Sequence, residues 1–231
     1  MEDPTLPPPP SSADAVATAL PWEDESTPFL IGLVETFKLL TLSPQEAFNR
    51  LSPVGIGRPY FYALLMTWIE LVVGVAYMLF FQAPFFLLGI PELEETVEGF
   101  AITTTMTLFI TLGVFILMPV LLAIGLFIHT CILHLMLLIL GEGKKGIETT
   151  FRVLCYSHTA DVANVIPFCG GLIAMIWFIV LQVIGIAEAH RCSYVKAAIA
   201  IFLPFLLCCA CIVVLVSMGV GAGVLGALLE Q

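Results

Sequence analysis

Between Glu98 and Glu142 the chain has no Asp, Glu, Lys or Arg for 43 consecutive positions. A helix over that run would reach ~64 Å, about twice the ~30 Å hydrocarbon core of a bilayer. The run is either one long helix bent at Pro119 or two short ones, and in both cases its natural solvent is lipid. The rest of the chain agrees. Of 231 residues, 60% are hydrophobic and 11% are charged, against about 25% charged in a soluble domain. Too little polar surface remains to cover a water-facing enzyme. The formal charge is -10, which leaves no basic face for nucleic acid.

Six of the 18 acidic residues fall in residues 1–27 and four in 92–98. Residues 1–27 carry Pro7-Pro8-Pro9-Pro10 and no Lys or Arg. They read as a disordered acidic, Pro-rich tail and lack the basic start of a secretory signal. The seven cysteines sit mostly in apolar runs. They read as small hydrophobic fillers.

Residues 28–59 read as cytoplasmic interfacial helices. Phe29, Leu30, Leu33, Val34, Phe37 and Leu40 recur at helical spacing, with Glu35 and Lys38 opposite, as in a helix lying in the membrane interface. Ser43-Pro44-Gln45-Glu46 reads as a capping box opening a second short helix.

Residues 60–231 form the membrane domain, with spans expected at about 60–88, 103–140, 147–167, 169–189 and 197–228. The 147–167 span is the least apolar, since it holds Arg152, His158, Asp161 and Asn164. Charge parity supports it. With five crossings, all eight basic residues fall on one side, and the positive-inside rule makes that side cytoplasmic. The expected topology has the N-terminus in and the C-terminus out. The fold class is therefore an all-α polytopic helix bundle with five transmembrane helices behind interfacial amphipathic helices.

A family resemblance rests on motifs in order. Pro21-Trp22-Glu23 precedes Thr36-Phe37-Lys38, Ser43-Pro44 and Ala47-Phe48, then Gly57-Arg58-Pro59 before the first span. Gly141–Gly146 leads into Phe151-Arg152-Val153 and Tyr156. Ile166-Pro167-Phe168 precedes Gly170-Gly171, followed by Ile176-Trp177, Gly185, Ala189-His190, Lys196-Ala197 and Leu203-Pro204. Over about residues 21–215 the chain resembles the Yip-domain family (Ypt-interacting protein one and its relatives), five-span membrane proteins, and is most similar to its bacterial branch. The resemblance implies a non-enzymatic protein in a bacterial cytoplasmic membrane. Eukaryotic relatives bind Rab-type GTPases and each other. Their cytosolic Asp-Leu-Tyr-Gly-Pro motif is absent here, where Pro21-Trp22-Glu23-Asp24 stands in its place, so Rab binding is not implied.

Two sets of residues are candidates for function. At 100° per residue, Thr150, Ser157, Asp161 and Asn164 share one face of the third span. Counting rises from the inner ends brings Glu70, His129, His158, Asp161 and Asn164 towards mid-membrane. A carboxylate there costs about 2.5–3.5 kcal/mol, so it should face protein or water. The cluster is either a structural set of buried polar groups or a relay for protons, ions or lipid. His134 and His190, near the inner ends, read as interfacial or capping residues. Small residues form the second set. Gly219 and Gly223 on the last span, with Gly170 and Gly171 before the fourth, allow close helix contact within the bundle or in an oligomer. No catalytic dyad, metal motif or cofactor motif is present. The expectation is a membrane-organising or partner-binding scaffold in the bilayer, with an unidentified cytoplasmic protein partner. The alternative is a small conduit through the polar stripe.

Overall fold

The computed structural model describes residues 19–51, 55–87 and 93–229. These residues are all-α, with no strand among them. In chain order they form α1 (Phe29–Leu42), α2 (Pro44–Asn49), α3 (Gly57–Leu87), α4 (Leu93–Ile139), α5 (Ile147–Ser157), a 3-10 helix (His158–Val165), α6 (Gly170–His190) and α7 (Tyr194–Leu229).

Four helices are long and apolar enough to cross a membrane: α3 through Gly57–Phe81, α4 through Thr104–Ile139, α6, and α7 through Tyr194–Val214. The charge-free run lies in one continuous helix with Pro119 inside it. Proline has no N–H, so the Phe115 carbonyl loses its helical partner. The indole Nε1–H of Trp68 on α3 donates to that carbonyl at 3.4 Å, and the two rings stack with centroids 4.9 Å apart.

Segment 147–167 is not a single apolar helix. It is the 11-residue α5 continued by the eight-residue 3-10 helix. Its rise still matches a span. The two pieces together climb about 32 Å, the same as the 21 residues of α6. They lie antiparallel to α6 along its whole length. Thr150 meets His190, Val153 meets Gly185, and Ala163 with Asn164 meets Gly170. Against α3 they run parallel, from Arg152 beside Gly55 through Tyr62 on Thr159 to Tyr77 on the Val165 carbonyl. Thr150, Arg152 to Ser157, Thr159 and Ala160 are all buried. The segment is therefore enclosed by neighbours as far as Ala160, while His158, Asp161 and Asn164 are half-buried.

Glycines set the closest approaches. A Cβ on Gly170 would stand 2.5 Å from the Ala163 carbonyl oxygen, a backbone atom that cannot swing away. On Gly185 it would stand 2.5 Å from Val153 and 2.9 Å from the Phe48 ring. Gly171 is exposed and its Cβ would make only ordinary contact with Asn164. The surroundings of Gly219 and Gly223, in the last part of α7, lie outside the described residues.

The N-terminal part departs from expectation in three places. Residues 1–18 of the expected tail lie outside the described residues, but the chain is packed from Leu20 onward, with Leu20 and Trp22 buried. The Trp22 amide donates to Thr36 Oγ1 at 2.9 Å and its indole to the Arg58 carbonyl at 2.8 Å. Secondly, α1 divides its apolar residues between two sides. Leu40 is buried with Gly32 and Thr36, and Leu33 and Phe37 pack against the core. Phe29, Leu30, Ile31 and Val34 point outward and are exposed. Gly32 permits this, because a Cβ there would stand 2.9 Å from the Pro21 carbonyl oxygen. Lastly, the capping box does not form. Ser43 makes no side-chain cap and closes α1 through its own N–H on Leu39, while Glu46 pairs with Arg50.

Candidate functional site

The polar residues form a column between α3, α4, α5 with its 3-10 continuation, and α6. At the end where the basic residues gather, Arg152 is sealed, its side chain 2% exposed, and paired with a Glu23 side chain that is 7% exposed. Tyr156 donates its hydroxyl to the same Glu23 oxygen at 2.7 Å, and Arg152 also donates to the Gly55 carbonyl. The N-terminal segment is thereby tied to the third expected span. Nearby, the buried Glu142 accepts from Lys144 at 2.9 Å and from Lys196 at the start of α7. These two ammonium partners hold its carboxyl below the usual carboxylate range.

One layer deeper, Thr150 Oγ1 bridges two buried histidines, His134 Nδ1 and His190 Nε2, each at 3.0 Å. A hydroxyl donates only one proton. Its oxygen can accept twice, so at least one of the two histidines must donate to Thr150. Both residues tie three helices together at the basic end.

Next comes the row that the sequence pointed to. In a 3-10 helix residues three apart eclipse, which places His158, Asp161 and Asn164 on one edge. His158 Nδ1 and Asp161 Oδ2 are 2.6 Å apart, and Asn164 donates to Glu70 Oε1 at 2.7 Å. Glu70 lies in electrostatic range of both Asp161 and His158, and His129 in range of His158. All five sequence candidates thus gather around one row. The two other members of the stripe do not join it. Thr150 serves the histidine pair, and Ser157 donates to its own helix at Val153. Beside the row, a cleft of about 540 Å³ lined by Thr67, Glu70, Gly74, Met78, Met118 and Asn164 separates α3 from α4.

Sequence reasoning missed Trp22, Glu23 and the histidine bridge. The available signal was Arg152 itself, since a cation inside a span needs a carboxylate partner, and Pro21-Trp22-Glu23 offers an acid within a motif of the same domain. Among the described residues no group of three His, Cys, Asp or Glu is placed to hold a metal.

Neither the curated proteins nor the solved structures contain a significant match to the chain. A family model does match: the Yip1 domain, over residues 37–216. The matched stretch runs from the middle of α1 into α7 and takes in Arg152, the histidine bridge and the whole 3-10 row. Since it covers well over half of the chain, this multi-pass membrane protein belongs to the Yip1 domain family.

Proposed function

We propose that the protein is a non-enzymatic scaffold that organises the bilayer and its partners from its basic end. The observation that carries this reading is α1. Its small side, Gly32 and Thr36, is fixed to the bundle, while Phe29, Leu30, Ile31 and Val34 are exposed on the other. A helix held this way offers bulky apolar side chains to the headgroup–acyl boundary from a rigid base. The pairing of Glu23 with Arg152 holds the segment that enters α1. In this reading the basic end is cytoplasmic. α5 and its 3-10 continuation make a fifth crossing, and the Gly-rich end of α7 lies outside.

A second reading, a conduit, is favoured by the row His158, Asp161, Asn164 and Glu70 beside its lipid-side cleft. Reconstitution separates the two. Vesicles loaded with a pH dye and a fluorescent lipid would receive wild type, Asp161→Asn, or Leu30→Ser with Val34→Ser. The scaffold reading expects no flux above empty vesicles for any variant. It also expects smaller or tubulated vesicles with wild type and Asp161→Asn, but not with the α1 double variant. Proton or lipid flux in wild type that is lost in Asp161→Asn would replace the scaffold with the conduit.

A further inference from the structure

Where α2, the start of α5 and the end of α6 meet, they enclose a pocket of about 190 Å³ lined by Phe48, Asn49, Leu51, Lys145, Thr149, Glu188, Ala189 and Arg191. We propose that this pocket binds a phosphate group, the headgroup phosphate of an anionic phospholipid being its natural source.

Charge bookkeeping singles the pocket out. Arg50, Arg58, Lys144, Arg152 and Lys196 each have a carboxylate within 4 Å. Among the described residues Lys38, Lys145 and Arg191 have none, and two of those three line this one cavity. Both are exposed. Glu188 also lines it, but its two oxygens already accept from Asn49 and Tyr194, and the lining stays net positive.

The backbone supplies an independent argument. α6 ends in a left-handed cap with Arg191 at φ 57°, and the Cys192 amide reaches back to the Ala187 carbonyl. That motif ordinarily holds glycine, because a Cβ is strained there. Arginine in that place spends stability to put a guanidinium at the mouth of the pocket, and such strain points to a site rather than to folding.

Shape and position select the ligand. Drug-sized sites run to roughly 300–1,000 Å³, so this cavity suits a phosphoryl group with a short stem and excludes a nucleotide. Lys145 and Arg191 give the lining its positive charge, and Phe48, Leu51 and Ala189 give it an apolar part. The pocket opens immediately past His190, the last residue of a spanning helix, where headgroup phosphates lie. Basic pockets between helices at that level recognise anionic headgroups, and arginine can grip phosphate through two donors.

The test is native mass spectrometry of the full chain released from detergent with added lipid. Wild type should retain one phosphatidylglycerol at least fivefold over phosphatidylcholine. Lys145→Gln with Arg191→Gln should fall to parity, and Lys38→Gln should behave as wild type. The three substitutions in these two variants remove exposed cations, and matching thermal midpoints establish that both variants fold. Millimolar inorganic phosphate distinguishes the source. Retention that resists it assigns the lipid headgroup. Thermal protection by phosphate with no lipid preference, lost in the double variant, keeps the phosphate site and overturns the lipid as its source. An undiminished lipid preference in the double variant, or neither lipid retention nor phosphate protection in wild type, overturns the site.

Discussion

Glu23→Gln should loosen the whole N-terminal platform, although residue 23 stands before the first helix. Its side chain and that of Arg152 are 7% and 2% exposed, so water screens the pair little. Taking away one member of such a pair leaves a buried charge without its counter-ion, which costs about 3–5 kcal/mol. The Gly55 carbonyl still accepts from Arg152 after the change, which places the expected loss near the lower end, ~3 kcal/mol. For a chain of this size that corresponds to roughly 6–12 °C in the unfolding midpoint. The assay is thermal unfolding in detergent beside limited proteolysis. Cleavage within residues 19–58 should rise well before the spans unfold. Adding Arg152→Gln to Glu23→Gln should recover part of the loss, because neither charge is then stranded, and the double-mutant cycle should show coupling of about 2 kcal/mol. The reasoning is refuted if Glu23→Gln melts within about 0.5 kcal/mol of wild type and is cleaved no faster.

Three other perturbations have clear signs. Gly185→Ala should destabilise by about 1–3 kcal/mol, since its methyl would meet Val153 and Phe48 below 3 Å, whereas Gly74→Ala, with nothing within 4 Å of its Cβ, should be neutral or slightly stabilising; paired melting curves decide. Arg191→Gly should raise stability by roughly 0.5–1 kcal/mol through relief of the left-handed cap, measured by the thermal midpoint, while abolishing the lipid preference expected in native mass spectra. Glu142 has a folded pKa below its ordinary value of 4.5, so the stability it contributes is present above that value and is lost as pH falls through the lowered one. Wild type should therefore melt above Glu142→Gln at pH 6–7 and converge with it in stronger acid, and a constant gap down to about pH 2 would contradict the pairing with Lys144 and Lys196.

The spans were legible because their signal is cumulative. Length and the scarcity of charge over the apolar stretches of α3, α4, α6 and α7 need no knowledge of neighbours. The third expected crossing shows where that logic thins. Its polar residues betrayed a protein-facing segment, and the counted depths brought Glu70, His129, His158, Asp161 and Asn164 together. The 100° rule nevertheless named the wrong companions, because from His158 onward the backbone tightens to three residues per turn. That change regroups the face around His158, Asp161 and Asn164. Nothing local announces it, although Thr159 bonding back to the Tyr156 carbonyl at 2.7 Å is the kind of side-chain competition that accompanies it. Likewise α1 showed its helical period but not its orientation. Which apolar residues face protein depends on Pro21 and Trp22 covering Gly32, a contact across the sequence that periodicity cannot register.

The bond from Trp68 to the carbonyl left open by Pro119 bears on biosynthesis. While α4 leaves the insertion machinery alone, it carries a bare carbonyl into hydrocarbon, where an unsatisfied backbone group costs several kcal/mol. The donor that relieves it was synthesised about fifty residues earlier, on α3. The two helices are therefore expected to be released into lipid as a hairpin rather than one after the other. Pro119 then acts less as a defect in α4 than as a requirement that α3 be waiting beside it.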